Sequence, residues 1–312
     1  MKVYVFDPLW PNLITSENKA LLDNAGVEVI LTTEIKPLSE CKDLFMNKDE
    51  KILAVNPDYV DWSLPSDKFK NIHNLKCIIT ESTSYGWIDT KYAAEQNIPV
   101  VNIRNFSTDA VADWAVMMMM NLMRKVSLLI KQGFPLNFSS DFQTYQGMNL
   151  KNKKVGIIGL GNIGTAISER CKGLGMDVSY CSKHEKKTNL RFSDVKTIFE
   201  TCDVVFPCMA DNDETRRIIT DDMLKSMNPR SILVSITHAI YNHELVLKLV
   251  SDYNLFGYGF EAPPLSFNNY KGNVWACPAY AWCTDGSMRK SMDLFVDAIV
   301  NAVKNSYPNQ VN

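Results

Sequence analysis

Lys153-Lys154-Val155-Gly156-Ile157-Ile158-Gly159-Leu160-Gly161-Asn162-Ile163-Gly164 is the stretch on which the fold of this 312-residue chain turns. An apolar strand runs directly into G-x-G-x-x-G at Gly159, Gly161 and Gly164, and residues 165–174 then read as a helix. In a strand–turn–helix unit of this kind the first glycine permits a tight turn. The second lets backbone N–H groups approach a pyrophosphate, and the third lets the helix pack close to the strand. Strand before and helix after are both present, so the motif predicts a dinucleotide site built on Gly159, Gly161, Asn162, Ile163 and Gly164.

The ribose end is read about 20 residues further on, where an Asp or Glu accepts from a 2′-hydroxyl in NAD sites. Here Val178-Ser179-Tyr180-Cys181 ends in Ser182 and Lys183. A hydroxyl and a cation suit a 2′-phosphate, which a carboxylate would repel. The expected cofactor is therefore NADP, with NAD still open because Glu185 follows closely.

Outward from the turn, short apolar runs recur on both sides. Before it lie 2–6, 27–31, 52–55, 77–79 and 98–101, with a helix at 16–24. After it lie 178–180, 204–206, 232–235, 255–258 and 274–276. Apolar strands separated by helix-length segments predict two successive parallel α/β units. Residues 108–129 form one long helix candidate, capped by Ser107 or Thr108 and apolar nearly all round through Met117 to Met120. Such a helix is buried, inside the monomer or against a second subunit. Residues 133–150 read as a connecting loop.

Composition narrows the class. Hydrophobic residues make up 46% and charged residues 22%, the mixture of a soluble globular protein. A net charge of −2 argues against a nucleic-acid partner. The start carries only the short apolar run Val3 to Phe6 before Asp7, and no apolar run approaches the ~20 residues of a membrane span. No leader, membrane association or metal is expected. The eight cysteines show no C-x-x-C pair and read as reduced thiols of a cytoplasmic protein.

Further motifs join the glycine turn: Asn74-Leu75-Lys76-Cys77-Ile78, Tyr85-Gly86-Trp87-Ile88-Asp89, Asn97-Ile98-Pro99-Val100-Val101-Asn102 and Ser107-Thr108-Asp109-Ala110-Val111-Ala112-Asp113. Asp213-Glu214-Thr215-Arg216 and Met227-Asn228-Pro229 follow. Through these the chain resembles the D-isomer-specific 2-hydroxyacid dehydrogenases, the family of D-lactate, phosphoglycerate and glyoxylate/hydroxypyruvate enzymes. The resemblance implies a Rossmann cofactor domain, 105–284, inserted into a flavodoxin-like substrate domain, 1–104 plus 285–312. It implies a homodimer whose surface includes the long helix. It also implies that Thr83, Ser84 and Tyr85 border the substrate, the first two through backbone N–H groups, and that Met209, Thr237 and Glu261 border the cofactor.

The same resemblance exposes a departure. The family uses an Arg, a Glu and a His. At the matching positions this chain has His238 for the Arg and Ala279 for the His, and the Glu has no counterpart. Glu261 matches an Asp that touches the nicotinamide amide. Removing a general acid/base typically costs roughly 10²–10⁴ in rate, so the family's own reaction is not expected unchanged. His238 and Tyr280 are the candidate proton donors, and Trp282 a candidate pocket wall. The plainer readings are a satisfied polar residue for His238 and packing for Tyr280 and Trp282. Three functions remain in view: an NAD(P)-dependent reductase of a small carbonyl or imine compound with a rebuilt site, a non-catalytic NAD(P)-binding sensor or scaffold, and a slow 2-oxo-acid reductase with other groups substituting.

Overall fold

The structure is a computed structural model that describes residues 1–133, 142–210, 214–236, 240–261 and 269–312. These form two compact units: Met1–Ser107 with Thr284–Asn312, and Thr108–Cys283. Each holds a parallel sheet covered by helices.

In the first unit β1 (Lys2–Phe6), β2 (Glu28–Thr32), β3 (Lys51–Val55), β4 (Leu75–Thr80) and β5 (Val100–Asn102) lie in the order β2-β1-β3-β4-β5. All pairs are parallel. The central strands are buried on both faces, which is why they read as continuous apolar runs. One face packs Tyr4, Phe6, Leu53, Val55 and Ile78 against Tyr59 and Phe69. On the other, Val3, Val5, Ile52 and Ile79 meet Phe295, Val296 and Ile299 of the helix Asp285–Val303. That last helix returns from the far end of the chain and completes the unit.

In the second unit β6 (Lys154–Ile158), β7 (Asp177–Cys181), β8 (Arg191–Phe192), β9 (Val204–Pro207), β10 (Ile232–Ser235), β11 (Gly257–Glu261) and β12 (Val274–Cys277) lie in the order β12-β11-β10-β9-β6-β7-β8. Strand order reverses between β6 and β9. In doubly wound sheets ligands bind at such a switch point, outside the carboxyl ends of the strands.

Three elements differ from the sequence expectation. The long helix stops at Met123, and a second helix, Val126–Lys131, follows after Lys125 in the left-handed region at φ +52°. Nothing in the local sequence breaks it. Its last carbonyls are met from outside, Leu122 O by Asn273 Nδ2 at 2.9 Å and Met123 O by the Met148 N–H at 2.8 Å. The strand expected at 255–258 begins instead at Gly257. Its glycines are there for the helix: a Cβ on Gly259 would stand 3.1 Å from Leu122 Cδ1. Much of the expected loop 133–150 lies outside the described residues, but Phe142–Tyr145 is a short helix.

Candidate functional site

The glycine turn closes between β6 and the helix Asn162–Gly173. Gly159 has φ +98°, a region that side chains disfavour, and a Cβ there would press on Cys208 and Met209. A Cβ on Gly164 would collide with the Gly159 carbonyl oxygen. Gly161 is the exception: a Cβ there meets nothing within 4 Å. It is also the N-cap, and no side chain caps the helix. The space beside the first turn is therefore open at Gly161, the arrangement in which a glycine turn accepts a phosphate. Asn162 is exposed there, while Ile163 packs partly into the core.

Neighbouring strands bring further predicted residues to the same edge. The Gly159 N–H donates to Cys181 O at 2.8 Å, which sets the end of β7, and Ser182 after it, beside the turn. Ser182 Oγ donates to His184 O, and Lys183 Nζ pairs with Glu214 Oε2 at 3.0 Å. Both partners of that pair are exposed, so water screens it and a doubly charged phosphate can compete for the lysine. The sequence reading missed Lys186, whose ammonium donates to Leu160 O inside the glycine turn and whose N–H donates to the Tyr180 hydroxyl at 2.8 Å. It also missed Glu214 as the partner of Lys183. Neither contact has a local signature.

Across the switch point, Glu261 ends β11, in register with Cys277 of β12. Its Oε1 accepts the Ala281 N–H at 3.1 Å, so it is held to the segment that carries Tyr280 and Trp282. Burial pushes the half-buried Glu261 carboxyl up to about 7, the Ala281 N–H pulling the other way. Tyr280 is 59% exposed and Trp282 is half-buried. Thr237 and His238 lie outside the described residues.

In the first unit Thr83, Ser84 and Tyr85 follow β4 on an exposed loop. Asn102 Nδ2 donates to Thr83 O at 2.6 Å, and Ser82 Oγ and Trp87 Nε1 donate to Ser84 O at 2.6 and 3.0 Å. The carbonyls are thus turned into the protein. Among the described residues, the N–H groups of Thr83, Ser84, Tyr85 and Gly86 have no hydrogen-bond partner.

All eight cysteines are free, and the described residues hold no group of three or more metal-ligating side chains. No helix among them is long and apolar enough to cross a membrane.

Comparison with known proteins fits this geometry. Residues 116–267 match the family model described as D-isomer specific 2-hydroxyacid dehydrogenase, NAD binding domain. A Staphylococcus haemolyticus protein provisionally named a 2-hydroxyacid dehydrogenase is 30% identical over 195 residues, 59% of this chain and 60% of that relative. The matching stretch thus spans less than two thirds of that protein. A glyoxylate/hydroxypyruvate reductase of Arabidopsis thaliana is 26% identical over 229 residues, 70% of each chain. Among solved structures, an acyclic imino acid reductase in complex with NADPH and D-arginine superimposes with a TM-score of 0.79 at 20% identity, covering 100% of both chains. That likeness shares the fold of two parallel-sheet α/β domains. Strand order and glycine turn agree with the family match over residues 116–267, and that part of the chain resembles the NAD binding domain of the D-isomer specific 2-hydroxyacid dehydrogenases.

Proposed function

We propose that the chain is an NAD(P)-dependent oxidoreductase of 2-hydroxyacid dehydrogenase ancestry with a rebuilt site, reducing a small carbonyl or imine compound. The observation that carries this is the open glycine turn: an uncapped helix N-terminus beside Gly161, with room where a Cβ would stand. Thr108–Cys283 is then the cofactor domain, and Met1–Ser107 with Thr284–Asn312 the substrate domain. NADP is the favoured cofactor, because the acid that would accept a ribose hydroxyl is absent and Ser182 and Lys183 stand in its place.

The dinucleotide, when bound, supplies hydride. The chain supplies the rest. First-turn N–H groups after Gly161 hold the pyrophosphate, and Ser182 and Lys183 hold the 2′-phosphate. The N–H groups of Thr83 to Gly86 hold a substrate anion such as a carboxylate. A proton must also reach the new hydroxyl or amine, and the sequence nominates His238 and Tyr280 for it. The imine alternative gains support from the imino acid reductase that shares the fold. Eight free thiols suit a cytoplasmic setting. A homodimer would cover the groove of about 470 Å³ lined by Val116, Met117, Met120 and Leu174 together with Asp113, Asn121 and Arg170.

Titrating the protein with NADPH and NADH, read by tryptophan fluorescence, tests the reading. It is followed by turnover with glyoxylate, hydroxypyruvate, and pyruvate with ammonium. Tighter NADPH binding and measurable oxidation are expected, with a light-scattering mass near twice the chain's 35.4 kDa. Tighter NADH binding removes the phosphate argument. Binding without turnover leaves the sensor, and no binding removes both.

A further inference from the structure

A dinucleotide spans the sheet edge from the half that holds its adenosine to the half beyond the switch point. In this chain the glycine turn and Ser182 take one half, β6 to β8. With a dinucleotide bound across the switch point, its reacting end would fall over the carboxyl ends of β9 to β12. Among the described residues that end or closely follow those strands, the groups able to give up a proton are Cys208, Tyr241, Glu261, Cys277, Tyr280 and Cys283. Burial pushes the Cys208 thiol up to about 12 and the Cys277 thiol up to about 11, too high to release a proton near neutrality. Glu261 is the one carboxylic acid. It is half-buried, held by the Ala281 N–H on Oε1, and has no ion-pair partner among the described residues. Its titratable neighbours there are Cys277, its partner in register on β12, and Tyr280, one residue before Ala281 in the chain.

We propose that Glu261, as a neutral carboxylic acid, is the proton donor of the reduction. The proposal rests on the reductase reading above and deepens it. Hydride adds to the carbonyl or imine carbon, and the C=O or C=N π pair moves onto the heteroatom. That atom takes the Glu261 proton, forming O–H or N–H. The nicotinamide leaves oxidised and Glu261 leaves as a carboxylate, which water reprotonates. Atoms and electrons balance with the reduced dinucleotide as the only co-reactant. A donor whose pKa lies near the working pH is the efficient choice, and a desolvated carboxyl with no cation beside it is how a protein makes one.

The test is Glu261→Gln, which keeps the shape and the acceptor for Ala281 but cannot donate an acid proton. Expected are a drop in kcat of roughly 10²–10³ and loss of the alkaline limb of kcat/KM. Turnover of the wild type should be high below that limb and fall as pH rises through about 7. NADPH affinity by fluorescence should change far less than kcat. Difference infrared spectroscopy of wild type against Glu261→Gln, without substrate, should resolve a carboxylic acid that titrates in the same range. Should that variant melt early, Glu261→Asp serves, and its limb should move. Unchanged kcat, a persisting limb, or loss of NADPH binding at intact kcat each overturns the donor role alone. A wild type that oxidises NADPH with none of glyoxylate, hydroxypyruvate, or pyruvate with ammonium removes the reductase reading, and the donor with it.

Discussion

Three glycines in one turn meet three different surroundings, and this separates what each does. Gly164 faces the Gly159 carbonyl oxygen and Ile157 Cγ2, so an added methyl collides with backbone that cannot move aside. Gly161 faces open space and has φ −85°, a value any residue adopts. Gly164→Ala should therefore cost stability, about 1–3 kcal/mol by overpacking. Gly161→Ala should leave the melting temperature where it is and weaken NADPH at least about tenfold, because its methyl intrudes only on what binds there. Thermal melts and titrations on both variants check the pair. Equal NADPH affinity in Gly161→Ala and wild type would mean that the open space is not the phosphate site. These roles were legible in the sequence because a turn of four backbone units is a local object. The partner of Lys183 was not, since Glu214 lies 31 residues away and only the fold brings it close.

At the scale of elements, the helix Thr108–Met123 shows where local reading ends. Its apolar run continues past 123, and propensity alone carries it to about 129. Tertiary contacts stop it. Asn273, buried just before β12, donates to Leu122 O at 2.9 Å and Phe256 O at 3.1 Å. Its Oδ1 accepts from the buried Ser127 hydroxyl at 2.8 Å. Lys125 adds a hydrogen bond to Thr144 O at 2.7 Å and lies over the Phe256 ring at 4.8 Å. One asparagine thus joins the helix end, the next helix and the strand region around β11. Asn273→Ala leaves buried carbonyls and a buried hydroxyl without that partner, and should cost about 2–3 kcal/mol. A melting temperature lower by several degrees, with NADPH affinity kept, is the expected result. A melt that coincides with wild type would show that the break is held elsewhere. Strands were read well because burial on both faces leaves a continuous apolar run. β11 was misplaced because its inward glycines, which make room for Leu122, look like turn residues in a single sequence.

At the scale of the whole chain, the first unit is built from two distant segments, and its acid network shows what only the assembled fold can make. Asp7, Asn56 and Glu81 follow β1, β3 and β4, and Ser291 sits on the last helix. All four are buried. Asn56 Nδ2 donates to Asp7 Oδ1 at 3.2 Å and to Glu81 Oε2 at 2.9 Å, and Ser291 Oγ donates to Glu81 Oε1 at 2.9 Å. Among the described residues Asp7 Oδ2 has no hydrogen-bond partner, so full ionisation of both carboxyls is costly there. Burial, and then the Asp7 charge, pushes Glu81 well above the ordinary carboxylate range; burial pushes Asp7 up as well. The sign follows from proton counts. Above the ordinary range the unfolded chain has released the proton and the folded chain keeps it, so unfolding becomes easier as pH rises. This contribution is complete at acid pH and is lost as pH climbs through the raised value. Glu81→Gln keeps a carbonyl for Ser291 and offers an N–H toward Asp7, but titrates no longer. The wild-type melting temperature should fall between about pH 6 and about pH 9, and the variant's should fall less over the same range. Ser82 to Gly86 follow Glu81 directly, so the network also anchors the loop that carries them. Parallel melting curves for the two proteins across that range would show that the proton is held somewhere other than Glu81.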